Sequence, residues 1–366
     1  MRLFFDARYI RTDFHDGISR YSAELAAAVA AAASESDVEV TFLIHDDAQR
    51  AFLPTDAAVL PFHAPTSVRE PFAARILRAH RPDVVFSPMQ TIGSAGRRFG
   101  LILTLHDTIY YRHRTPPRNL PWYVRVGWRL FHLSYWPQRF TLNAADLVAT
   151  VSETSARQFA KVRLTKRPVV VIPNAPQRLA DLLPEGTAVT GGPVRNLVYM
   201  GSFMPYKNVE TLVTAMRQLP EHTLHLLSRI SPERRAELER GARPGSIVFH
   251  DGVTDAEYAA LLADHAALVT MSLDEGYGLP VAEALELGVP AVVTDMEIFR
   301  EVAGGGALYV DPLDPAAVAD AVRSLDEPGL RDRLVETGTA HIRTFSWSRS
   351  AQTLLAAASD LARGAK

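Results

Sequence analysis

Two carboxylates and a glycine-rich turn stand together between Asp274 and Pro290, where the chain reads DEGYGLPVAEALELGVP. Glu275 falls in a loop and Glu283 about one turn into a predicted helix. Pro280 suits the first helical position, where a missing N–H costs nothing. Val281 to Leu287 is rich in helix formers. Gly288 is placed to end the helix, and Pro290 forbids its continuation. Gly276 and Gly278 let the backbone approach a ligand closely. The N–H groups of Gly278, Leu279 and the first turn would meet an anion at the positive end of the helix dipole. The chemistry suited to this pattern is a phosphate with a polyhydroxyl group beside it. The spacing of the two glutamates alone would equally describe a solvated helix carboxylate and a loop carboxylate.

Other candidates sit at the ends of apolar runs. Lys207 follows the run Leu197 to Met200 through Gly201-Ser202-Phe203-Met204-Pro205-Tyr206. A lysine near a helix start opposes the dipole, so it reads either as a cation beside a diphosphate or as an exposed surface lysine. His106 follows Leu101 to Leu105, at the carboxyl end of a predicted buried strand, where ligands collect in open α/β sheets. A core histidine bonded to backbone is the alternative. Gly17 precedes a helix and reads as a site of close ligand approach or as a simple turn. No P-loop occurs, Gly276-x-Gly278 lacks the third glycine of a dinucleotide fingerprint, and no Asp-x-Asp pair is present to hold a metal against a diphosphate. No metal and no cofactor are expected. A diphosphate leaving group would be neutralised by Lys207 and helix amides.

The segment from Tyr110 to Phe140 carries three of the four tryptophans, with six arginines interleaved. Arg118, Trp122, Arg125, Trp128 and Arg129 are its centre. Such a mixture suits an anionic membrane surface or a lipid-linked acceptor. Base stacking on nucleic acid, or a helical pair packed on its own domain, would use the same residues. Charge is uneven along the chain. Met1 to Pro176 holds 22 Lys/Arg against 15 Asp/Glu, and the remainder holds 17 against 26. One half should meet an anionic partner, while the acidic second half weighs against nucleic acid.

The elements that must position these residues alternate strand and helix throughout. Strands are predicted at 3–5, 40–44, 84–86, 101–105, 147–151 and 169–172. After a patternless stretch rich in Pro, Gly and Thr, a second series follows at 197–200, 224–227, 247–249, 267–271, 290–293 and 307–310. Helices are expected at 21–33, 154–161, 209–219, 255–262 and 315–325. The fold class is therefore α/β, with two doubly wound, Rossmann-like parallel-sheet domains facing across a cleft. The expected limits are 1–175, a linker at 176–194, 195–340, and a final segment 341–366. At 366 residues two domains are the natural division. With no cysteine, disulfides and thiolate chemistry are excluded. The start lacks a signal-peptide core and no apolar run spans a bilayer, so a cytoplasmic location is expected.

Taken together, these motifs resemble those of the family 4 retaining glycosyltransferases of the two-domain GT-B type. The strongest element is Glu275 to Pro290, similar to that family's Glu-x7-Glu signature with its Gly-x-Gly-Leu-Pro turn. Gly17, His106-Asp107, Val171-Ile172-Pro173-Asn174, Gly201 to Asn208 and the closing Phe345-Ser346-Trp347-Ser348 support it. The resemblance implies that Lys207 binds the donor diphosphate and that Glu283 holds the ribose. Glu275 would lie beside the donor sugar, and Gly278 and Leu279 would offer backbone N–H groups. His106 would stand near the reacting centre, Gly17 would line the donor site, and the loop containing Val253 would approach the base. The final helix would cross back to the first domain. Ser202 replaces a common arginine, and Ala175 replaces a common glycine. The Gly-[Ser/Thr]-x4-Lys-Asn form is similar to a bacterial branch that builds cell-surface polysaccharides, often with mannose. The implied function is transfer of a hexose, mannose from GDP-mannose first, to a lipid-linked or glycan acceptor at the inner membrane face, with retained anomeric configuration. A same-fold enzyme using a UDP-, dTDP- or ADP-sugar on a soluble acceptor, and a non-catalytic sugar-nucleotide binder, are the alternatives.

Overall fold

The computed structural model describes residues 1–13, 16–116 and 121–364. Two compact units emerge: Met1–Asn174 with Phe345–Lys366, and Ala175–Thr344.

The first unit is built on seven strands: β1 Arg2–Asp6, β2 Glu39–Ile44, β3 Ala58–Pro61, β4 Val84–Ser87, β5 Gly100–Thr104, β6 Leu147–Thr150 and β7 Val169–Val171. Their order is β3-β2-β1-β4-β5-β6-β7, with every pairing parallel. β4 and β5 are buried along their whole length, as expected where helices cover both faces of a parallel sheet. Strand order reverses between β1 and β4, which makes their carboxyl ends the topological switch point.

The second unit has six parallel strands: β8 Asn196–Tyr199, β9 Thr223–Leu226, β10 Ile247–Phe249, β11 Ala266–Thr270, β12 Ala291–Thr294 and β13 Ala307–Val310. Their order is β10-β9-β8-β11-β12-β13, so the switch point lies between β8 and β11. Residues of the patternless stretch before β8 belong to this unit. Leu179 is buried, and the N–H of Thr190 donates to the carbonyl of Ala263 at 2.8 Å.

Twelve strands stand where the apolar runs place them, give or take a residue. β3 was not expected, nor were the helices Pro232–Gly241, Glu297–Ala303 and Leu330–Ile342. The final helix, Trp347–Gly364, packs within the first unit against the helix Gly17–Ala33. Buried Ala351, Leu354 and Ala358 face a helix whose inner side is Tyr21, Leu25, Ala26 and Val29. The small residues allow close approach, and burial of Leu354 alone contributes about 2 kcal/mol. The hydroxyl of Ser350 donates to the Pro173 carbonyl at 2.7 Å, tying this helix to the end of β7.

Candidate active site

At the switch point of the second unit, two loops are fastened together. The first leaves β8 at Tyr199. Gly201 is required there, because a Cβ would lie 2.9 Å from the Tyr199 hydroxyl oxygen. That hydroxyl donates to the Ser202 carbonyl at 2.7 Å and folds the loop back. A single 3₁₀ turn, Pro205–Lys207, follows, and Asn208 takes a left-handed conformation before the helix Val209–Ala215. The Asn208 side chain holds that conformation, donating to the Pro312 carbonyl at 2.7 Å and accepting from the Thr211 hydroxyl at 3.0 Å. Lys207 therefore ends a turn before the helix, not the helix's first residues.

The second loop leaves β11 at Thr270. The N–H of Leu273 donates to the Tyr206 carbonyl at 2.7 Å. Lys207 Nζ donates to Glu275 Oε1 at 2.5 Å, and the same oxygen accepts the Ser272 hydroxyl at 2.9 Å. Both charged side chains are largely buried. Lys207 and Glu275, expected on diphosphate and sugar respectively, are thus brought into direct contact. The loop then turns at Gly278, whose φ of 99° belongs to glycine and whose missing Cβ would lie 2.7 Å from the Phe299 ring. The helix runs Leu279–Leu287, so Pro280 takes its second position, and Gly288 ends it in the left-handed region. Among the described residues, no protein acceptor is found for the N–H of Gly278 or Leu279. Open amides at a helix N-terminus are the kind of group that suits an anion. Glu283 lies one turn into this helix and is only 4% exposed.

Two further donor-side expectations, Ser202 and Val253, fall on the same unit, and Gly17 falls on the first. Ser202 is exposed and Val253 half-buried. Val253 follows two left-handed residues, Asp251 and Gly252, and Asp251 Oδ1 accepts the Ile230 N–H at 3.1 Å. The loop is therefore fixed at the carboxyl ends of β9 and β10.

In the first unit, His106 follows β5. Its Nε2 lies 2.9 Å from the Pro88 carbonyl, so Nε2 carries hydrogen and donates. Burial pushes the imidazole pKa down, against the smaller opposing effect of that bond. The ring is then neutral near pH 7, with Nδ1 left as an acceptor. Its edge packs on Tyr21, with ring centroids 5.1 Å apart. Gly17 opens its helix immediately after the capping residue Asp16, which accepts the Ser19 N–H at 2.9 Å.

One constellation at this switch point was missed. Arg8 makes a two-pronged contact with Asp6 at 2.6 and 2.9 Å, and a second with Glu70 at 2.8 and 2.9 Å. His63 Nε2 meets Glu70 at 2.8 Å, and the Ser87 hydroxyl donates to Asp6 at 3.0 Å. Asp6, Arg8 and Glu70 are all buried. Burial works against the guanidinium charge, but the two carboxylates outweigh it and hold the Arg8 pKa above its ordinary value. Arg8 is the member of this network that reaches a cavity of about 420 Å³, lined also by Arg11, Asp16, His45 and Gln49. The alternation Asp6-x-Arg8 at a strand end was its only sequence signal. Among the described residues, no three His, Asp or Glu side chains cluster as a metal site.

Of the basic aromatic segment, Arg118 lies outside the described residues. Trp122 and Arg129 are exposed, whereas Arg125 is half-buried. Trp128 turns inward, its ring 4.1 Å from that of His132 and 5.1 Å from that of Tyr110.

Comparison with known proteins agrees with this geometry. The O-antigen chain mannosyltransferase B of Escherichia coli is 30% identical over 228 residues, covering 57% of this chain and 58% of that protein. The chain thus aligns with little more than half the length of that relative. The MMP alpha-(1->4)-mannosyltransferase of Mycolicibacterium hassiacum is 28% identical, covering 80% of this chain and 74% of that one. The crystal structure of Anabaena HepE with UDP-glucose shares the fold at a TM-score of 0.71 and 17% identity, over 98% of this chain and all of that one. Residues 15–175 match the model described as Glycosyltransferase Family 4. Residues 194–327 match that of the Glycosyl transferases group 1. With one match on each unit, carrying the His106 strand end and the Lys207–Glu275 loops respectively, the chain belongs to the family 4 glycosyltransferases.

Proposed function

We propose that the chain transfers a hexose from a nucleotide sugar to a lipid-linked or glycan acceptor in cell-surface polysaccharide or glycolipid synthesis. The observation that carries this is the Lys207–Glu275 contact beside the two open amides of Gly278 and Leu279. It combines a cation, an anion-binding helix start and a sugar-side carboxylate at a strand-end switch point. Lys207 and the amides would take the diphosphate, with Ser202 adding a hydroxyl. Glu275 would face the donor sugar, Glu283 the ribose, and Val253 the base. In the first unit, Gly17 would line the donor and neutral His106 would accept a hydrogen bond from it at Nδ1.

Glu275 is already engaged by Lys207 and Ser272, which does not suit a free nucleophile. Retention by same-face attack fits better: the acceptor oxygen bonds to the anomeric carbon as the bond to the diphosphate breaks, and the diphosphate takes the acceptor's proton. The anionic leaving group is stabilised electrostatically. No metal ion or cofactor is assigned to the reaction.

Mannose is the favoured sugar, because the two relatives named above are mannosyltransferases, and GDP as its carrier follows the resemblance of the segment from Gly201 to Asn208. A UDP-sugar is the second reading, favoured by HepE, whose structure was determined with UDP-glucose. A thermal-shift panel of GDP-, UDP-, dTDP- and ADP-sugars separates them. A donor at a hundredfold excess over its dissociation constant should add about 2.7 kcal/mol of stability. A donor that binds but supports neither transfer nor slow hydrolysis in wild type would reduce the protein to a sugar-nucleotide binder. In this reading the acceptor would lie at the cytoplasmic face of an anionic membrane. Among the described residues, no helix is long and apolar enough to cross one, so contact would be peripheral.

A further inference from the structure

The first unit presents apolar side chains that no described residue of the chain covers. On the helix Trp122–Phe131, Trp122, Val126 and Leu130 recur at four-residue spacing and are 76%, 48% and 63% exposed; Leu133 continues the line. On the helix Trp136–Asn143, Trp136 and Phe140 stack with centroids 6.2 Å apart, and are 70% and 73% exposed. Scattered apolar residues are normal on a surface, but large side chains this exposed, grouped on each of two consecutive helices, point to an interaction site.

The first of these helices is held from beneath. His132 sits between the rings of Trp128 and Tyr111, 4.1 and 5.0 Å away. Its Nδ1 donates to the Trp128 carbonyl at 2.8 Å. The outer stripe is thereby fixed away from the domain core.

The surroundings are cationic. Between Thr108 and Ala145 the sequence has six arginines and no Asp or Glu. A second basic group joins from the loop after the helix Glu153–Lys161. Arg139, beside Phe140, donates to the carbonyls of Val162 and Arg163 at 2.6 and 3.1 Å. The Lys166 N–H donates to Asn143 Oδ1 at 2.7 Å. These bonds bring exposed Lys161, Arg163 and Lys166 to the rim of the aromatic pair. A second copy of the chain seated here through the same segment would set arginines against arginines, since that segment has no carboxylate of its own. An anionic bilayer answers both features: tryptophans favour the membrane–water interface, and each nearby Lys or Arg adds attraction to acidic headgroups.

We propose that this face inserts shallowly into an anionic lipid bilayer, with Trp122, Leu130, Trp136 and Phe140 as the inserted side chains and Lys161, Arg163 and Lys166 as the headgroup rim. The anchor thus shifts from the Arg125 and Trp128 of the expected patch, which turn inward, to the Trp136–Phe140 pair. The proposal rests on the membrane part of the preceding reading and not on the chemistry of transfer.

The test is cosedimentation of the full chain with phosphatidylcholine vesicles, with and without phosphatidylglycerol, and with brominated lipid as a tryptophan quencher. Binding should need phosphatidylglycerol and weaken with salt. Trp136→Ser with Phe140→Ser, and separately Trp122→Ser with Leu130→Ser, should each weaken it about tenfold or more while leaving the melting temperature unchanged. Lys161→Glu, Arg163→Glu and Lys166→Glu should each weaken it about fivefold. Brominated lipid should quench wild-type emission, and quench the Trp136→Ser protein less. Equal binding to neutral vesicles, or full binding by both aromatic variants, overturns the proposal. So does a concentration-dependent dimer that the same variants dissociate. Donor-sugar binding is read separately, so its failure would leave the membrane result intact.

Discussion

Lys207 Nζ and Glu275 Oε1 lie 2.5 Å apart although 68 positions separate them in sequence. β8 and β11 are neighbours in the sheet, so the loops that follow them meet at their carboxyl ends. Removing either charge leaves the other largely buried and unpaired, which costs more than the pair contributes. Lys207→Ala and Glu275→Ala should each lower donor turnover about a hundredfold or more. Lys207→Ala should also weaken donor binding, as a diphosphate contact is lost. The double variant should be less destabilised than the sum of the singles, by about 0.5–3 kcal/mol. A double-mutant cycle in urea, run beside donor hydrolysis rates, checks both. Strict additivity in stability with unchanged hydrolysis would refute the shared role.

Gly278 is the hinge on which the second loop enters its helix. Alanine there must adopt a φ of 99° and set its Cβ 2.7 Å from the Phe299 ring. The backbone term costs about 1–2 kcal/mol and the overlap about 1–3 more. Gly278→Ala should therefore lose about 2–5 kcal/mol in urea melts, and with it the geometry of the Gly278 and Leu279 amides. Combining it with Phe299→Leu should recover the overlap portion only.

What was legible in the sequence follows from what each feature depends on. Parallel strands buried on both faces read as apolar runs, so β4, β5 and β11 were plain. β3 was not, because Ala58–Pro61 is a half-exposed edge strand ending in proline. The helix Pro232–Gly241 has Leu238 as its one buried residue, which leaves no apolar stripe to find. Glu275, Gly278 and Glu283 were found through local turn chemistry. That Lys207 touches Glu275 needs the order of strands in the sheet, which a linear pattern does not carry. The Asp6–Arg8 pair was open to a strand-end reading, but Glu70, from a distant turn, was not.

Glu286 offers a pH test in the second unit. Its carboxyl is half-buried and, among the described residues, Oε2 has no partner. Burial raises its pKa, with Arg178 opposing more weakly. A raised carboxyl favours folding while protonated, below its unfolded value near 4.3, and that advantage is lost as pH climbs through the folded value. Glu286→Gln keeps the shape without the charge. It should melt higher than wild type at about pH 8, with the gap closing toward about pH 4. A gap independent of pH would show that the carboxylate is not the source.

The Arg8 network sets a harder test, because its charges are buried rather than screened. Arg8→Met keeps much of the volume but leaves Asp6 and Glu70 facing each other without their cation. The expected cost is about 3–5 kcal/mol, larger than any exposed ion pair of this chain would show. Replacing all three with apolar residues of similar size should recover most of that loss, since no stranded charge remains. The loop from Ala7 to Arg11 would then lose its charged anchor, keeping the bonds from Gln49 Nε2 to the Arg8 and Ile10 carbonyls, while the sheet beneath it stays folded. Urea melts of the single and triple variants read the first effect. Hydrogen exchange at Tyr9, Ile10 and Arg11 reads the second, with faster exchange expected in the triple variant. Unchanged exchange there would mean that the network serves stability and does not hold the cavity's wall in place.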